Sequence, residues 1–177
     1  MHPTISKIAA GLREAGLPTA PPTHPGIHGS LASFAHDDIR VLDDDVRTAA
    51  AAAAALGVPV GAIANSLVFR AISDDESTPL LALTSGAHRA DLATLAALAG
   101  ADRVAMADPA FVREHTGQAI GGVAPIGHPH PIATLVDTQL ADHPVVWAAA
   151  GHPKAVFPTT FADLVALTGG RAAEVGA

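Results

Sequence analysis

The sequence of 177 residues contains no cysteine and no tyrosine, and it has only one tryptophan and five phenylalanines. Without cysteine the chain can form neither disulfides nor thiolate metal sites, and a cysteine nucleophile is excluded. Aromatic residues make up only 3% of the chain, so it lacks the stacking surfaces of sequence-independent single-strand binders. Hydrophobic residues nevertheless make up 49%, which predicts one core built mainly from alanine and aliphatic side chains.

Positive charge is also scarce, because ten lysines and arginines face seventeen acidic residues and leave a formal net charge of -7. Such a chain repels duplex DNA at long range, so no DNA partner is expected. No apolar run is long enough to span a bilayer, and the N-terminal segment is amphipathic rather than a continuous apolar signal sequence. We therefore expect a cytoplasmic protein without a membrane partner.

Hydrophobic spacing and turn residues predict an irregular mixture of helices and strands. Helices are expected at 4–16, 49–55, 91–98, from 109 onward and at 160–167, and strands at 39–42, 63–69, 79–83, 104–106, 132–136 and 145–149. The acidic triplet at 43–45 is expected to cap the alanine helix. No βαβ period, internal repeat or phosphate-binding glycine motif is present. The predicted fold class is therefore α+β, a single domain (1–177) with a mixed, barrel-like β-sheet and peripheral helices, in which 1–44 form an N-terminal helix and a flap-like connection.

A glycine-rich loop at 116–127, with the sequence TGQAIGGVAPIG, is the most distinctive segment of the chain. Glycine permits positive φ and lets backbone N–H groups approach a substrate oxygen closely. The loop therefore suits an anion or oxyanion cradle, but an ordinary turn from helix to strand uses the same residues. The loop alone leaves both interpretations open.

Histidines provide a competing hypothesis, because His128, His130, His143 and His152 lie close in sequence to the glycine loop. Grouped imidazoles can bind zinc. All four precede proline, however, which favours extended or turn segments, and no HExxH helix motif is present. Polar loop roles are favoured over a metallohydrolase, and neither a metal nor another cofactor is expected.

The order and spacing of several short motifs resemble the YbaK/EbsC family over about residues 45 to 170. That family includes freestanding aminoacyl-tRNA deacylases and the editing domain inserted in bacterial prolyl-tRNA synthetases. The motifs that carry the resemblance are GVPVGAIANSLVF at 57–69, LTSG at 83–86, TG at 116–117, GGVAPIG at 121–127, VD at 136–137 and AG at 150–151.

The resemblance implies a trans-editing hydrolase that removes a wrongly attached amino acid from the 3′ end of tRNA. The aminoacyl-tRNA 3′ end is then the substrate, and a tRNA synthetase is a further candidate partner. The implied catalytic positions are Asn65 on the strand and Gly121 and Gly122 on the loop, whose backbone lies near the scissile carbonyl in this family. The implied substrate-binding positions are Ser66, Val123, Ala124, Pro125, Asp137, Gly151 and Phe34.

Alternatives remain for several of these residues. Ser66 can be a hydroxyl satisfied by the sheet, and Asp137 can equally be a turn-capping carboxylate. Asn65 departs from the family pattern, since many members carry a lysine here that holds the substrate's 3′ end. A neutral amide cannot neutralise phosphate or oxyanion charge. The chain is therefore either a deacylase that uses backbone donors or another cation, or a noncatalytic relative that binds tRNA or a synthetase.

Overall fold

The computed structural model describes residues 2–15 and 39–177. The predicted flap-like connection and Phe34 lie outside these residues. The helices are α1 (Pro3–Glu14), α2 (Ala49–Leu56), α3 (Leu92–Ala99), α4 (Pro109–Thr116) and α5 (Phe161–Thr168). The strands are β1 (Arg40–Val41), β2 (Ile63–Ser73), β3 (Glu76–Ser85), β4 (Arg103–Met106), β5 (Ala133–Asp137), β6 (Val146–Ala149), β7 (Ala155–Thr159) and β8 (Arg171–Ala173).

Helix α2 begins at a cap that the sequence analysis did not identify. The hydroxyl of Thr48 accepts the N–H of Ala51 at 3.1 Å, and Gly57 ends the helix in the left-handed conformation. The prediction that the acidic triplet caps this helix is therefore wrong. An N-cap must directly precede the first turn, and the triplet ends three residues too early. Asp45 instead forms an ion pair with Arg47.

The eight strands form one mixed sheet in the order β1-β7-β6-β2-β3-β5-β8, and β4 pairs with β2 beside this path. The predicted α+β class with a mixed sheet is confirmed. The sheet is open, however, because β1 and β8 end the strand order and do not pair with each other in the described residues. The expected barrel-like closure is wrong.

The centre of the sheet is a long hairpin formed by β2 and β3. The two strands pair without interruption from Ala64 opposite Ser85 to Ser73 opposite Glu76. Asp74 and Asp75 connect them with positive φ values of 51° and 62°, as a two-residue hairpin turn requires. Since β3 occupies one edge of β2 along its whole length, every other partner of β2 must lie on the opposite edge.

Helix α1 packs on the main core through Ile5, Ile8 and Leu12, which are all buried. Its side chains also lie against the backbone of two loops, because a Cβ on Gly127 would collide with Ile8 and one on Gly151 would lie 2.6 Å from Thr4 Cγ2. Helix α1 therefore packs closely against the backbone of both loops. Among the described residues, no helix combines the length and apolar content needed to cross a bilayer.

Candidate functional site

The second edge of β2 carries a gap in strand pairing. Strand β6 pairs with β2 only at Ile63 and Ala64, and β4 pairs with it only from Phe69 to Ile72. Between them, residues 65–68 have no strand partner on this edge within the described chain. The gap leaves main-chain hydrogen-bonding groups available in the middle of the sheet.

The main chain of Ser66 faces this gap. The carbonyl of Ile63 accepts an N–H from Gly86 on the β3 side at 2.9 Å, whereas that of Ile72 accepts one from Asp102 on the β4 side at 3.0 Å. Main-chain groups of alternate residues in a strand point to the same edge, so even-numbered residues of β2 point away from β3. Ser66 therefore directs its N–H and C=O into the gap.

A cavity of about 50 Å³ lies beside the gap. Its walls come from the segment before α2, the start of β2, the glycine loop, β6 and β7. They are formed by Val46, Arg47, Thr48, Ala49, Ala52, Ile63, Ala64, Asn65, Ser66, Gly121, Gly122, Val123, Trp147, Ala148, Ala149 and Val156. We call this space the β2 cavity.

Asn65 and Ser66 both line the β2 cavity although their side chains point to opposite faces of the sheet. Ser66 shares its face with Ala64 and Val68, which belong to the main core. Its hydroxyl oxygen is buried and has no hydrogen-bond partner in the described part of the chain. A buried hydroxyl is normally paired, so the hydrogen-bonding capacity of this group is unusual in being unused among the described residues.

The glycine loop supplies three of its five predicted positions to the β2 cavity, namely Gly121, Gly122 and Val123. The N–H of Ala124 is donated to Gln118 Oε1 at 2.7 Å, and Pro125 has no N–H to offer. Within the glycine loop, main-chain donors for a substrate oxygen are thus restricted to 121–123.

Gln118 holds the loop in this shape. Its Oε1 accepts the N–H of Ala124, and its Nε2 donates to the carbonyl of Ile126 at 3.1 Å. The Gln118 side chain is buried, and its own N–H donates to Thr116 Oγ1 at 3.0 Å. One amide side chain therefore joins the two ends of the segment that lines the cavity.

The loop also contacts the segment after β6. A Cβ on Gly122 would lie 2.6 Å from the carbonyl carbon of His152 and 2.7 Å from the nitrogen of Pro153, so the two backbones touch. Gly151, a predicted substrate-binding residue, lines a second cavity of about 330 Å³ next to the first. We call it the outer cavity, and its walls are His2, Thr4, Asp45, Arg47, Arg113, Gly117, Gln118, Ala119, Gly151, His152 and Pro153.

Four of the described residues predicted to bind substrate lie outside the walls of the β2 cavity, namely Ala124, Pro125, Asp137 and Gly151. Pro125 lines a separate surface cavity together with His128. Asp137 is fully buried, and its carboxylate accepts the N–H groups of Ser85 and Gln139 and contacts His88 Nδ1. These contacts give Asp137 a structural role at the junction of β3 and β5.

The histidines near the loop make separate contacts. His128 Nε2 donates to the carbonyl of Ala124 at 2.9 Å, and His152 Nδ1 accepts the N–H of Lys154 at 3.1 Å. Burial lowers the pKa of His128 below its ordinary value, outweighing the hydrogen bond to Ala124, and the charge of Lys7 lowers it further. Among the described residues, no three His, Asp or Glu side chains are grouped closely enough to hold a metal ion.

A comparison with known protein families identifies the family of this chain. The family model for the aminoacyl-tRNA editing domain matches residues 43–167. The chain belongs to the aminoacyl-tRNA editing domain family. The resemblance to the YbaK family inferred from the motifs is confirmed.

Solved structures of similar proteins cover the whole editing domain. A proposed trans-editing enzyme for prolyl-tRNA synthetase is 35% identical, with a TM-score of 0.79 over 100% of this chain and 99% of its own. A scaffold protein used for computational epitope grafting is 32% identical, with a TM-score of 0.79 over 100% of this chain and 99% of that one. A hypothetical protein is 26% identical, with a TM-score of 0.77 over 97% of this chain and 99% of its own.

Three residues that line or shape this candidate site were missed in the sequence analysis. Arg47 and Trp147 line the β2 cavity, and Gln118 shapes the loop. Arg47 carries no sequence signal, because it is one of ten dispersed basic residues. Gln118 could have been noticed, since it is the one long polar side chain in 116–127 and offers both a donor and an acceptor.

Proposed function

We propose that this editing domain hydrolyses the ester bond of mischarged aminoacyl-tRNA. The observation that carries the proposal is the β2 cavity, where the glycine loop faces the unpaired edge of β2 with Asn65 and Ser66. Family membership and the similarity to a proposed trans-editing enzyme point to the same substrate class.

In the proposed reaction, water adds to the carbonyl carbon of the aminoacyl ester. Negative charge then develops on the carbonyl oxygen, and N–H groups of residues 121–123 are positioned to stabilise it. The C–O bond to the terminal ribose breaks, the ribose oxygen takes up a proton, and the free amino acid leaves. Removal of one such oxyanion donor typically lowers the rate by about 10²–10³-fold.

The proposed amino acid is small and apolar. The space open in the β2 cavity is only about 50 Å³, and its deeper wall consists of Ile63, Trp147, Ala148 and other apolar side chains. Alanine or an analogue of similar size fits this description better than a large or charged side chain. A synthetase pocket discriminates poorly against a smaller apolar amino acid, which explains the need for a second site.

A noncatalytic role in binding tRNA or a synthetase is the second candidate function. The observation that favours it is the neutral Asn65, where the resemblance leads us to expect a lysine. The proposed setting is the same in both cases: the cytoplasm, with the tRNA 3′ end as one partner and a tRNA synthetase as the other.

A panel of mischarged tRNAs tests the proposal. Each tRNA carries a radiolabelled amino acid, and release of the label is followed with and without the protein. We expect turnover of at least one tRNA that carries a small amino acid and no turnover of correctly charged prolyl-tRNA. Tight tRNA binding without release of any amino acid would select the noncatalytic function instead.

A further inference from the structure

Arg47 brings positive charge to the site although Asn65 does not. It lies directly before the N-cap Thr48 and lines the β2 cavity together with Asn65 and Gly121. Among the described residues that line this cavity, Arg47 is the only one with an ionisable side chain. The formal charge of the cavity wall therefore rests on one guanidinium group.

The orientation of Arg47 leaves part of this guanidinium available. Its Nε and Nη2 donate to Asp45 Oδ2 at 3.2 and 3.0 Å. Nη1 is not used by Asp45 and lies beside the glycine loop, since a Cβ on Gly121 would be 3.5 Å from it. A guanidinium has five N–H donors, so those of Nη1 remain available next to the loop.

Arg47 also borders the outer cavity, where it is joined by Arg113 and His152. Its side chain is 59% exposed, so it stands at the rim between the two cavities rather than within either. A tRNA 3′ end that places its aminoacyl group in the β2 cavity must pass this rim. The phosphate that precedes the terminal adenosine is the nearest negative charge to such an ester.

We propose that Arg47 is the residue that anchors this terminal phosphate, in place of the positive charge that Asn65 lacks. The inference rests on the proposed function and names a binding residue for it. An arginine can hold two phosphate oxygens at once, and the donors of Nη1 are not used by Asp45. The anchor acts on substrate binding, because the developing charge on the ester oxygen lies deeper, at 121–123.

The test compares Arg47→Ala with the wild type in steady-state deacylation of the best tRNA from the panel. Loss of one phosphate contact is expected to raise KM about tenfold and to change kcat by less than about twofold. The dependence of log kcat/KM on log salt should become shallower by about 0.7. Arg47→Lys should raise KM less than Arg47→Ala does, because lysine keeps the positive charge but lacks the planar guanidinium that can bind two oxygens.

Arg103→Ala is the matched control, since it removes the same charge from an exposed position on β4 that lines neither cavity. It should leave KM and the salt dependence unchanged. If Arg47→Ala behaves like Arg103→Ala, or if it lowers kcat without raising KM, the anchor is overturned.

A second arm places the charge back on β2. In Arg47→Ala combined with Asn65→Lys, the new ammonium group faces the same cavity, and KM should return at least half of the way to the wild-type value on a logarithmic scale. If the double variant folds normally by circular dichroism but its KM does not recover, Arg47 and the introduced lysine do not bind the same phosphate.

Binding of a fluorescent tRNA acceptor minihelix that ends in CCA separates this inference from the proposed function. Absence of turnover with every tRNA of the panel would refute hydrolysis and leave the anchor testable by anisotropy. The minihelix Kd should then rise about tenfold in Arg47→Ala and stay unchanged in Arg103→Ala. Equal Kd values for the two variants would refute the anchor alone.

Discussion

The carboxylate of Asp137 accepts the main-chain N–H of Ser85 at 3.0 Å, across the ends of the parallel strands β5 and β3. The same oxygen lies 3.1 Å from His88 Nδ1, while the other oxygen accepts the N–H of Gln139 at 3.1 Å. Ser85 in turn donates its hydroxyl to the carbonyl of Gly61 at 2.9 Å. These hydrogen bonds hold Gly61 in place, in the turn directly before β2.

Asp137→Asn should therefore destabilise the fold rather than disable the chemistry. An amide retains one acceptor and turns an NH₂ group toward an N–H donor, so the free energy of unfolding should fall by about 2 kcal/mol in urea denaturation. Asp142→Asn, at an exposed carboxylate bonded to Gln139, should change it little. If Asp137→Asn kept the stability of the wild type but lost deacylation, Asp137 would have a role in substrate binding and not in the stability of the fold.

Ser66→Ala should show the opposite pattern. The hydroxyl is buried without a partner in the described residues, so its removal should leave the free energy of unfolding within about 0.5 kcal/mol or raise it. If the hydroxyl binds the substrate, kcat/KM should fall roughly tenfold, the value of one hydrogen bond.

Thr159→Val is the control for Ser66→Ala, because its hydroxyl is also buried and unpaired in the described chain but does not line the β2 cavity. It should leave deacylation unchanged. Equal effects of the two variants on kcat/KM would refute a role for the Ser66 hydroxyl in the site.

Gly122→Ala should disturb both the loop and the reaction. The new methyl group would lie 2.6 Å from the His152 backbone, which cannot move aside as a flexible side chain would. We expect a loss of about 1–3 kcal/mol in unfolding free energy and a fall in deacylation of the remaining folded protein.

Gly169→Ala is a useful comparison for Gly122→Ala, since Gly169 has a φ of +63° and open space around it. It tests backbone strain without collision, at a cost of about 1 kcal/mol. Deacylation by folded Gly169→Ala should equal the wild type. Full activity in Gly122→Ala would show that the close approach of the two loops is not needed.

His128 should make stability depend on pH. Its folded pKa lies below the ordinary 6.5, so the unfolded chain takes up a proton at a higher pH than the folded chain does. The contribution is present above 6.5 and is lost as pH falls toward the folded pKa. Urea denaturation at about pH 8 and about pH 5 should show a smaller pH-dependent loss in His128→Gln than in the wild type.

His130→Gln provides the matched control, because His130 lies in the same segment and is exposed. Its pH profile should follow that of the wild type. Parallel profiles for wild type and His128→Gln would contradict the proposed effect of burial on His128.

Most elements could be predicted from the sequence because their signals are local. Asp108 and Thr160 cap helices and Gly57 and Gly169 end them, while Asp91, which the sequence analysis placed inside a helix, is the N-cap of α3. Strand β7 was missed because Pro158 interrupts its pattern. The carbonyl of Ala155 faces β6, where it accepts from Ala150, so the nitrogen of Pro158 points to the other edge, beyond the end of β1. A missing N–H is tolerated there.

The site was only partly predictable, because part of it depends on contacts between residues that are distant in sequence. Asn65, Ser66 and Gly121 could be singled out because they lie in short sequence motifs that resemble those of the editing-domain family. The gap beside them depends on where β4 and β6 stop along β2, which involves partners about 30 to 80 residues away in sequence. Arg47 enters the site by the same kind of long-range packing, so no local pattern distinguishes it from the other arginines.

The interrupted edge of β2 has an evolutionary consequence. Every residue type except proline supplies a main-chain N–H. Nearly all missense changes at Ser66 therefore keep the N–H that faces the gap, while they change the wall of the β2 cavity. Under the proposed function, lineages with this architecture can change the amino acid that the cavity accepts by substituting wall residues, while the main-chain groups of the site are inherited unchanged.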